Sequence, residues 1–391
     1  MSVSVAVSSS PSLSNPPKAA AELLESVVKA LGGSPRALIL FSPYHGVDHS
    51  SLLKELADRS NDTPLIGGTN YGSILGTDCR DRELVLWALG GDVQASVGTG
   101  RNLARDAKEA GRACARGALS AGRKDAKLFV LIHEPQAGSP PELAEGALEE
   151  LGEIPMIGGG SGTGFVMEQN PLSKQFAGRT ALAGAAAGLL LRGDFQVSCG
   201  FSHGGRPIGK PWTLTKTRRN ILVEIDGKPA LDALEEALDA PFSRSCMSFI
   251  TIGCALLEPG MKESVQYGLW GASPAERALF CGTPLPEGAR YQFIRIDSEN
   301  LLADQKLAAA RALKALGRPA SGALVFDCYG RRLHLDPRGL LKAELAAIAA
   351  AFGGIPTAGM YSGSELAVVD AGLKSAGSRY GHGCSSFAVL G

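Results

Sequence analysis

The sequence has no net charge: 39 Lys+Arg face 39 Asp+Glu in 391 residues. That balance argues against nucleic acid or an anionic membrane surface as the main partner. Paired cysteines are missing too. Cys79, Cys114, Cys199, Cys246, Cys254, Cys281, Cys328 and Cys384 form no C-x-x-C, which excludes a zinc ribbon or a thioredoxin-type motif. H-E-x-x-H is absent, so no metalloprotease-type zinc helix is expected. The Ala/Gly/Leu-rich run at 181–191 is too short for a membrane span and ends at Arg192. The opening MSVSVAVSSSPSLSNPP has no basic start and no long apolar run, so no signal peptide is expected. A soluble, reduced, cytoplasmic protein follows from these absences.

Glycine is abundant, and IPMIGGGSGTGF (Ile154 to Phe165) invites reading as a phosphate cradle. The register excludes it. The dinucleotide fingerprint needs glycine at i, i+2 and i+5. Counting from Gly158 the third position is Thr163, and from Gly160 it is Phe165. FVMEQNPLSKQF is no helix start, and no G-K-[ST] follows. The stretch reads instead as a strand-to-loop joint where glycine lets backbones approach.

Two other stretches are built like it: PLIGGTNYGSI (Pro64 to Ile74) and PTAGMYSGSEL (Pro356 to Leu366). All three read P-x-x-G. Each follows an apolar run that turns polar, as buried parallel strands do: ALILFSPYHG, KLFVLIHEPQAG and GALVFDCYGRR. Helical patterns lie between run and proline. Further upstream, VSVAVSSS, DVQASVGTGRN and YQFIRIDSEN read as strands leading into AAAELLESVVKALGG, ARDAKEAGRACARGAL and LLADQKLAAARALKALG. Strand–helix–strand–helix–P-x-x-G thus occurs three times. LGGDVQASVG and LRGDFQVSCG share a Gly-Asp hairpin turn. The expected fold class is α/β: repeated βαβα units forming two α/β halves, joined by a mostly extended β-rich segment at about 201–290. A boundary near 220 divides the chain into 1–220 and 221–391.

Three motifs together resemble the FIST family, named for F-box and intracellular signal transduction proteins. FSHGGRPIGKPWTLTKTRRNILVEIDGKPALDAL (Phe201 to Leu234) is similar to the end of its N-terminal domain running into its C-terminal domain. FDCYGRR (Phe326 to Arg332) is similar to the family's F-x-C-x-G-R, and GMYSGSEL (Gly359 to Leu366) to its G-x-y-x-x-GE. Here Ser364 separates glycine from glutamate. The family's closing f-H-N-q-T stands as YGHGCSS, which keeps His382. The resemblance implies a FIST N-terminal-like domain over 1–220, a FIST C-terminal-like domain over 221–391, and a stand-alone cytosolic small-ligand sensor acting on a signalling partner such as a kinase. It also implies an alternative, a haem-binding nitric-oxide sensor with His382 or His203 as iron ligand.

FDCYGRR places Asp327, Cys328 and Arg331 at a strand end. Arginine there can clamp a carboxylate or phosphate, and Cys328 beside Arg331 and Arg332 is a candidate for a lowered thiol pKa. The bland alternative makes Cys328 a core residue and pairs Arg331 with Glu365. The candidate ligand site gathers Arg331, Glu365, Tyr361, Cys328 and Asp327, with His203 and Arg206 of SHGGRPIGKP as a second, anion-holding stretch. An enzyme using Cys328, Arg331 and Glu365 on a small carboxylate or amine is the competing class, although no Ser/His/Asp or Cys/His motif is recognisable.

Overall fold

The structure is a computed structural model that describes residues 3–164, 172–241, 251–257, 264–368 and 378–391. Cys246 and residues 165–171, part of the stretch read above as no helix start, lie outside these ranges. The chain begins with β1 (Ser4–Ser10), α1 (Pro16–Leu31), β2 (Ala37–Ser42), α2 (His49–Arg59) and β3 (Leu65–Thr69). The hairpin β4 (Ser73–Leu75) and β5 (Asp78–Arg80) precedes β6 (Leu84–Gly90). The same succession returns as β7 (Val93–Gly100), α3 (Ala107–Leu119), β8 (Ala126–His133), α4 (Pro140–Leu151) and β9 (Met156–Gly160). It ends in the hairpin β10 (Lys174–Ala177) and β11 (Thr180–Ala183), then β12 (Ala186–Gly193).

After β13 (Val197–Ser202) the chain leaves to build a separate sheet. That sheet holds β14 (Gly205–Arg218), β15 (Ile221–Ile225), β16 (Lys228–Pro229), β17 (Ile252–Leu256), β18 (Val265–Ser273), β19 (Ala278–Cys281) and β20 (Arg290–Ile296), with α5 (Ala230–Leu238) packed on it. The chain returns through α6 (Ser298–Leu316), β21 (Gly322–Cys328), α7 (Tyr329–Leu335), α8 (Leu341–Ala351) and β22 (Thr357–Ser362). The hairpin β23 (Glu365–Val368) and β24 (Ser378–Gly381) precedes the last strand, β25 (Ser385–Leu390).

Three six-stranded sheets result, ordered β1-β6-β2-β3-β10-β11, β7-β12-β8-β9-β23-β24 and β13-β25-β21-β22-β4-β5. Each places its own four strands as first, last, second, third. Each is then completed by a hairpin from elsewhere in the chain, so every sheet needs another segment to finish its edge. The inward faces meet in one core containing Phe41, Trp87, Val130, Leu189, Phe326 and Met360. Trp87 Nε1 donates to the Ala323 carbonyl at 3.2 Å, tying the first sheet to the third. The outward faces carry α1 and α2, α3 and α4, and α6 and α8 respectively. Helix starts follow the sequence closely. Asn15, Asp48, Asp106, Ser139 and Asp297 each accept a backbone N–H three residues on.

The P-x-x-G pattern has one physical cause in all three places. The carbonyls of Pro64, Pro155 and Pro356 accept the N–H of Leu38, Phe129 and Ala323, each at 2.9 Å, and so open the parallel ladder to the neighbouring strand. Gly67, Gly158 and Gly359 stand opposite Leu40, Leu131 and Val325. A Cβ on those glycines would lie 2.1, 1.9 and 1.8 Å from the facing carbonyl oxygens.

The sheets correct the expected organisation in two respects. There are three α/β sheets rather than two halves, and the third draws β13 from before residue 220 and β21, β22 and β25 from after it. YQFIRI is β20 of the separate sheet. The strand beside β25 is VSCGFS, so the β-rich segment is inserted between β13 and α6 rather than bridging two halves.

Candidate functional site

The strand ends of the second and third sheets and one edge of the inserted sheet wall a cleft of about 560 Å³. β18 and the turn after β19 supply Trp270, Gly282 and Thr283. The loop after β8 and the start of α4 supply Gln136, Ser139 and Glu142. Tyr329 comes from the start of α7, Ser364, Tyr380 and His382 come from the β23–β24 hairpin and the residues flanking it, and Tyr71 comes from the loop after β3. A narrow pouch shares Trp270, Tyr329 and His382 and reaches Gln266 and Cys328. On the other side of Tyr71 opens a second cleft, of about 540 Å³, lined by Tyr44, His45, Asp81, Arg82 and Thr163. Tyr71 stacks on Tyr329 with ring centroids 4.2 Å apart, which stiffens the wall between the two clefts.

His382 sits in an aromatic box. The rings of Tyr380, Trp270 and Tyr267 lie 5.2, 5.8 and 6.3 Å away. Its Nε2 bonds the Tyr380 hydroxyl at 3.1 Å, and burial lowers its pKa to about 4, so the ring is neutral at pH 7. If Tyr380 donates, Nδ1–H is left as a donor; if it accepts, Nδ1 is left as an acceptor. Among the described residues neither His382 Nδ1 nor Thr283 Oγ1 has a partner. Both are buried polar atoms on residues that line the cleft, and leaving them unpaired costs free energy that a polar ligand would recover. Trp270 is 48% exposed at the mouth, a flat face for stacking.

FDCYGRR does something different from the clamp its sequence suggests. Arg331 is wholly buried. Its Nε and Nη2 donate to Glu344 Oε1 at 3.0 and 2.6 Å, Nη2 also reaches Gln305, and Nε lies 3.0 Å from Asp327. Tyr361 donates to the other oxygen of Glu344 at 3.3 Å. Arg331, Asp327 and Tyr361 thus gather with Glu344 and Gln305 in a buried cluster beneath α6 and α8. Arg331 pairs with Glu344, on α8, and not with Glu365. Glu365 is buried, accepts from Ser362 Oγ at 3.0 Å and from the Cys384 N–H at 3.3 Å, and has its carboxyl pKa pushed well up by burial.

The thiol of Cys328 is shifted the opposite way from expectation. Burial first, and then the charge of Glu365, raise its pKa well above the ordinary value. The nearby arginine is already neutralised by its own carboxylates. Cys328 is a small wall residue of the pouch. His203 accepts the Gly205 N–H at Nδ1 (3.0 Å), and burial lowers its pKa to about 4. Arg206 forms a bidentate pair with Asp304 at 2.7 and 2.8 Å on the surface. SHGGRPIGKP is mostly strand β14, paired with β20, rather than an anion-holding loop.

A second polar cluster resembles a catalytic one without being able to act as one. Ser42 Oγ lies 3.0 Å from His49 Nε2, and Lys174 Nζ lies 3.3 Å from His49 Nδ1. An ammonium at Nδ1 makes that nitrogen the acceptor, so Nε2 carries the proton and donates to Ser42 and to the Pro43 carbonyl (3.2 Å). A histidine in that tautomer cannot take the serine proton.

The surroundings of His382 do not fit a haem iron. His382 Nδ1 is shielded from solvent, and a Cβ on Gly282 would stand 2.7 Å from the ring's Cε1, so no room for a macrocycle faces that edge. His203 uses Nδ1 internally. Among the described residues no cluster of three His, Cys, Asp or Glu side chains is arranged to hold a metal ion.

Four histidines make a pH prediction. His49, His133, His203 and His382 are each held near 4, chiefly by burial, against an ordinary 6.5. Between those values the unfolded chain binds protons that the folded chain refuses. Their stabilising effect is therefore complete above pH 6.5 and is lost as pH falls toward 4. The urea midpoint at pH 5 is expected to lie below that at pH 7.5, with a loss of about 1–2 kcal/mol per histidine. A midpoint that stays level across that range contradicts the assignment.

Family models match the chain over residues 36–228 as the FIST N domain and over 227–368 as the FIST C domain. The chain belongs to the FIST family. An uncharacterized protein of Mycobacterium tuberculosis H37Rv is 28% identical over 384 residues, covering 94% of this FIST chain and 95% of the relative. An uncharacterized protein of Mycobacterium bovis is 30% identical over 201 residues, covering 50% of this chain and 51% of the relative. Among solved structures, cyanuric acid hydrolase from A. caulinodans aligns over 100% of this chain and 99% of that one, with 9% identity and a TM-score of 0.38. Phosphoribosylformylglycinamidine synthase II from Thermotoga maritima aligns over 100% and 72%, with 14% identity and a TM-score of 0.24. No chemistry transfers at such scores. No described helix of this FIST chain is long and apolar enough to cross a membrane.

Sequence reasoning missed Trp270, Thr283, Tyr380 and Tyr71. One signal was available. In VQYGLWGAS the core face runs Val265, Tyr267, Leu269, which puts Trp270 on the opposite face. A tryptophan on an outward face is a reason to look for a ligand.

Proposed function

We propose that this FIST chain is a cytosolic small-ligand sensor that acts on a partner protein. Its ligand sits in the cleft framed by Trp270, Tyr329 and His382. The observation that carries this reading is the origin of the walls. Tyr71, Gln136 and Ser139 come from the 1–220 part, while Trp270, Thr283, Tyr329 and His382 come from the 221–391 part. A ligand bound there contacts both parts at once and favours the arrangement that closes on it, which is how binding becomes an output.

The chemistry of the walls favours a small ligand with a planar or cationic portion against Trp270 and a neutral hydrogen-bonding end for His382 and Thr283. Glu142 at the cleft wall suits an amine. Cys328 stays in the site as a pouch wall. Arg331, Asp327, Tyr361 and Glu365 support the floor from behind. The enzymatic alternative lacks its nucleophile, because the Cys328 thiol is pushed up and not down.

Trp270 is the exposed one of the three tryptophans, and an emission change that Trp270→Ala abolishes reports a ligand in this cleft. A thermal-shift screen of amino acids, nucleobases and small amines is expected to give hits that also change tryptophan emission. Trp270→Ala should weaken such hits at least about tenfold, the equivalent of roughly 1.4 kcal/mol. Hits that bind Trp270→Ala as tightly as the native chain would move the site elsewhere.

A further inference from the structure

Two stretches singled out in the sequence play no part in the cleft: PIGKPW and IDGKPALDAL. The fold brings them together. In β14, Ile208 faces Phe293 and Trp212 faces Tyr291, so Gly209, Lys210 and Pro211 stand opposite the single residue Gln292 of β20. The strand bulges by two residues there. Gln292 Nε2 pins the bulge by donating to the Gly209 carbonyl at 3.0 Å. Gly209 takes φ +62°, and a Cβ on it would lie 2.9 Å from Ala237 Cβ, so glycine is what lets α5 come down on the bulge. Bulge, β15 and α5 enclose a cavity of about 300 Å³.

Its interior is apolar, with Trp212, Ile225, Phe293, Ala233 and Ala237 among its walls. Trp212 is 4% exposed and packs on Tyr291 and Phe293 at 5.1 and 4.9 Å. Its indole Nε1–H has no acceptor among the described residues. A buried donor left unpaired beside an apolar cavity is costly, and an acceptor arriving from outside would satisfy it. At the mouth, Lys228 Nζ donates to the Glu236 carboxylate at 2.9 Å, and Lys210 lies close enough for its charge to add to the lowering of that group's pKa. Asp226 Oδ1 accepts the Thr213 N–H at 2.8 Å. With Lys228 paired to Glu236, Lys210 is the cation at this opening that no ion pair among the described residues holds.

We infer that the cavity between the β14 bulge and α5 is a second small-molecule site, separate from the Trp270 cleft, that takes a small apolar carboxylate. The aryl or alkyl body fills the space against Trp212 and Phe293. The carboxylate accepts from Trp212 Nε1–H and from Lys210. The volume matches the lower end of the range of small-molecule sites.

Phenylacetate titrated calorimetrically into the full chain tests this, with 2-phenylethylamine as the similarly shaped cation. Phenylacetate is expected to saturate one site and to bind at least about fivefold more tightly than the amine, a difference of roughly one ordinary hydrogen bond. In the amide–indole NMR spectrum, the indole N–H resonance that Trp212→Phe removes should be the one that shifts. Ala233→Leu, which fills the cavity, should abolish binding, and Trp270→Ala should leave it unchanged. If Ala233→Leu does not fold, Trp212→Phe decides, with an expected loss of about fivefold. No saturation, native binding by Ala233→Leu or by Trp212→Phe, or loss of binding in Trp270→Ala would each overturn the inference. The last of these would place phenylacetate in the main cleft.

Discussion

Arg331→Ala is expected to destabilise the chain by about 3–5 kcal/mol, the cost of stranding buried charge. The guanidinium is wholly buried and holds Glu344 by two hydrogen bonds, at 3.0 and 2.6 Å, with Asp327 3.0 Å from the same Nε. One cation serves two carboxyls. Burial and the neighbouring Glu344 push the Asp327 pKa well up, so that group is relieved by keeping its proton. Removing the arginine leaves the Glu344 carboxylate with only the Tyr361 hydroxyl, in a place water does not reach. Replacing both partners, as Arg331→Met with Glu344→Leu, removes the charges together and should recover most of the loss. Urea unfolding of the two variants reads the difference. A single variant as stable as the native chain would show that the cluster is not what the geometry says it is.

Gly359→Ala is expected to cost about 3 kcal/mol or to prevent folding, because overpacking against backbone cannot be relieved by a rotamer change. The new methyl would sit 1.8 Å from the Val325 carbonyl oxygen and 2.7 Å from its carbon. Those atoms belong to the strand next door, and relief means parting β22 from β21. Gly33→Ala is the control. Nothing lies within 4 Å of its Cβ position, so it should change stability by no more than about 0.5 kcal/mol. Equal thermal midpoints for the two variants would contradict this explanation of the P-x-x-G pattern.

That pattern shows why part of the fold was legible. Proline and glycine carry their conformational reasons in their own chemistry, and the same steric demand recurs at Gly67, Gly158 and Gly359. The helices were legible for a similar reason, since their caps and apolar stripes are local. The first strand of the third sheet was not. β20 runs straight into α6 just as β1 leads to α1, and nothing local says that β20 hydrogen-bonds to β14 and β17 while β13, nearly a hundred residues earlier on the order of the sequence spacing, takes the place beside β25.

The candidate site was less legible still. FDCYGRR looks reactive because it puts charge and a thiol at a strand end. Whether Arg331 faces a ligand or a carboxylate depends on Glu344, thirteen residues later on another helix. The cleft is built from side chains far apart in the chain, Tyr71, Gln136, Trp270, Thr283 and His382, none of which belongs to a local motif.

Hydrogen–deuterium exchange on the full chain tests the central claim most directly. The probe is the strongest ligand from the thermal-shift screen, compared with the free protein. The account predicts slowed exchange in peptides from both sides of the cleft, those covering Val265 to Pro284 and those covering Gln136 to Glu142. A ligand that protects only one side, or neither, would contradict a sensor that works by closing these two walls on a small molecule.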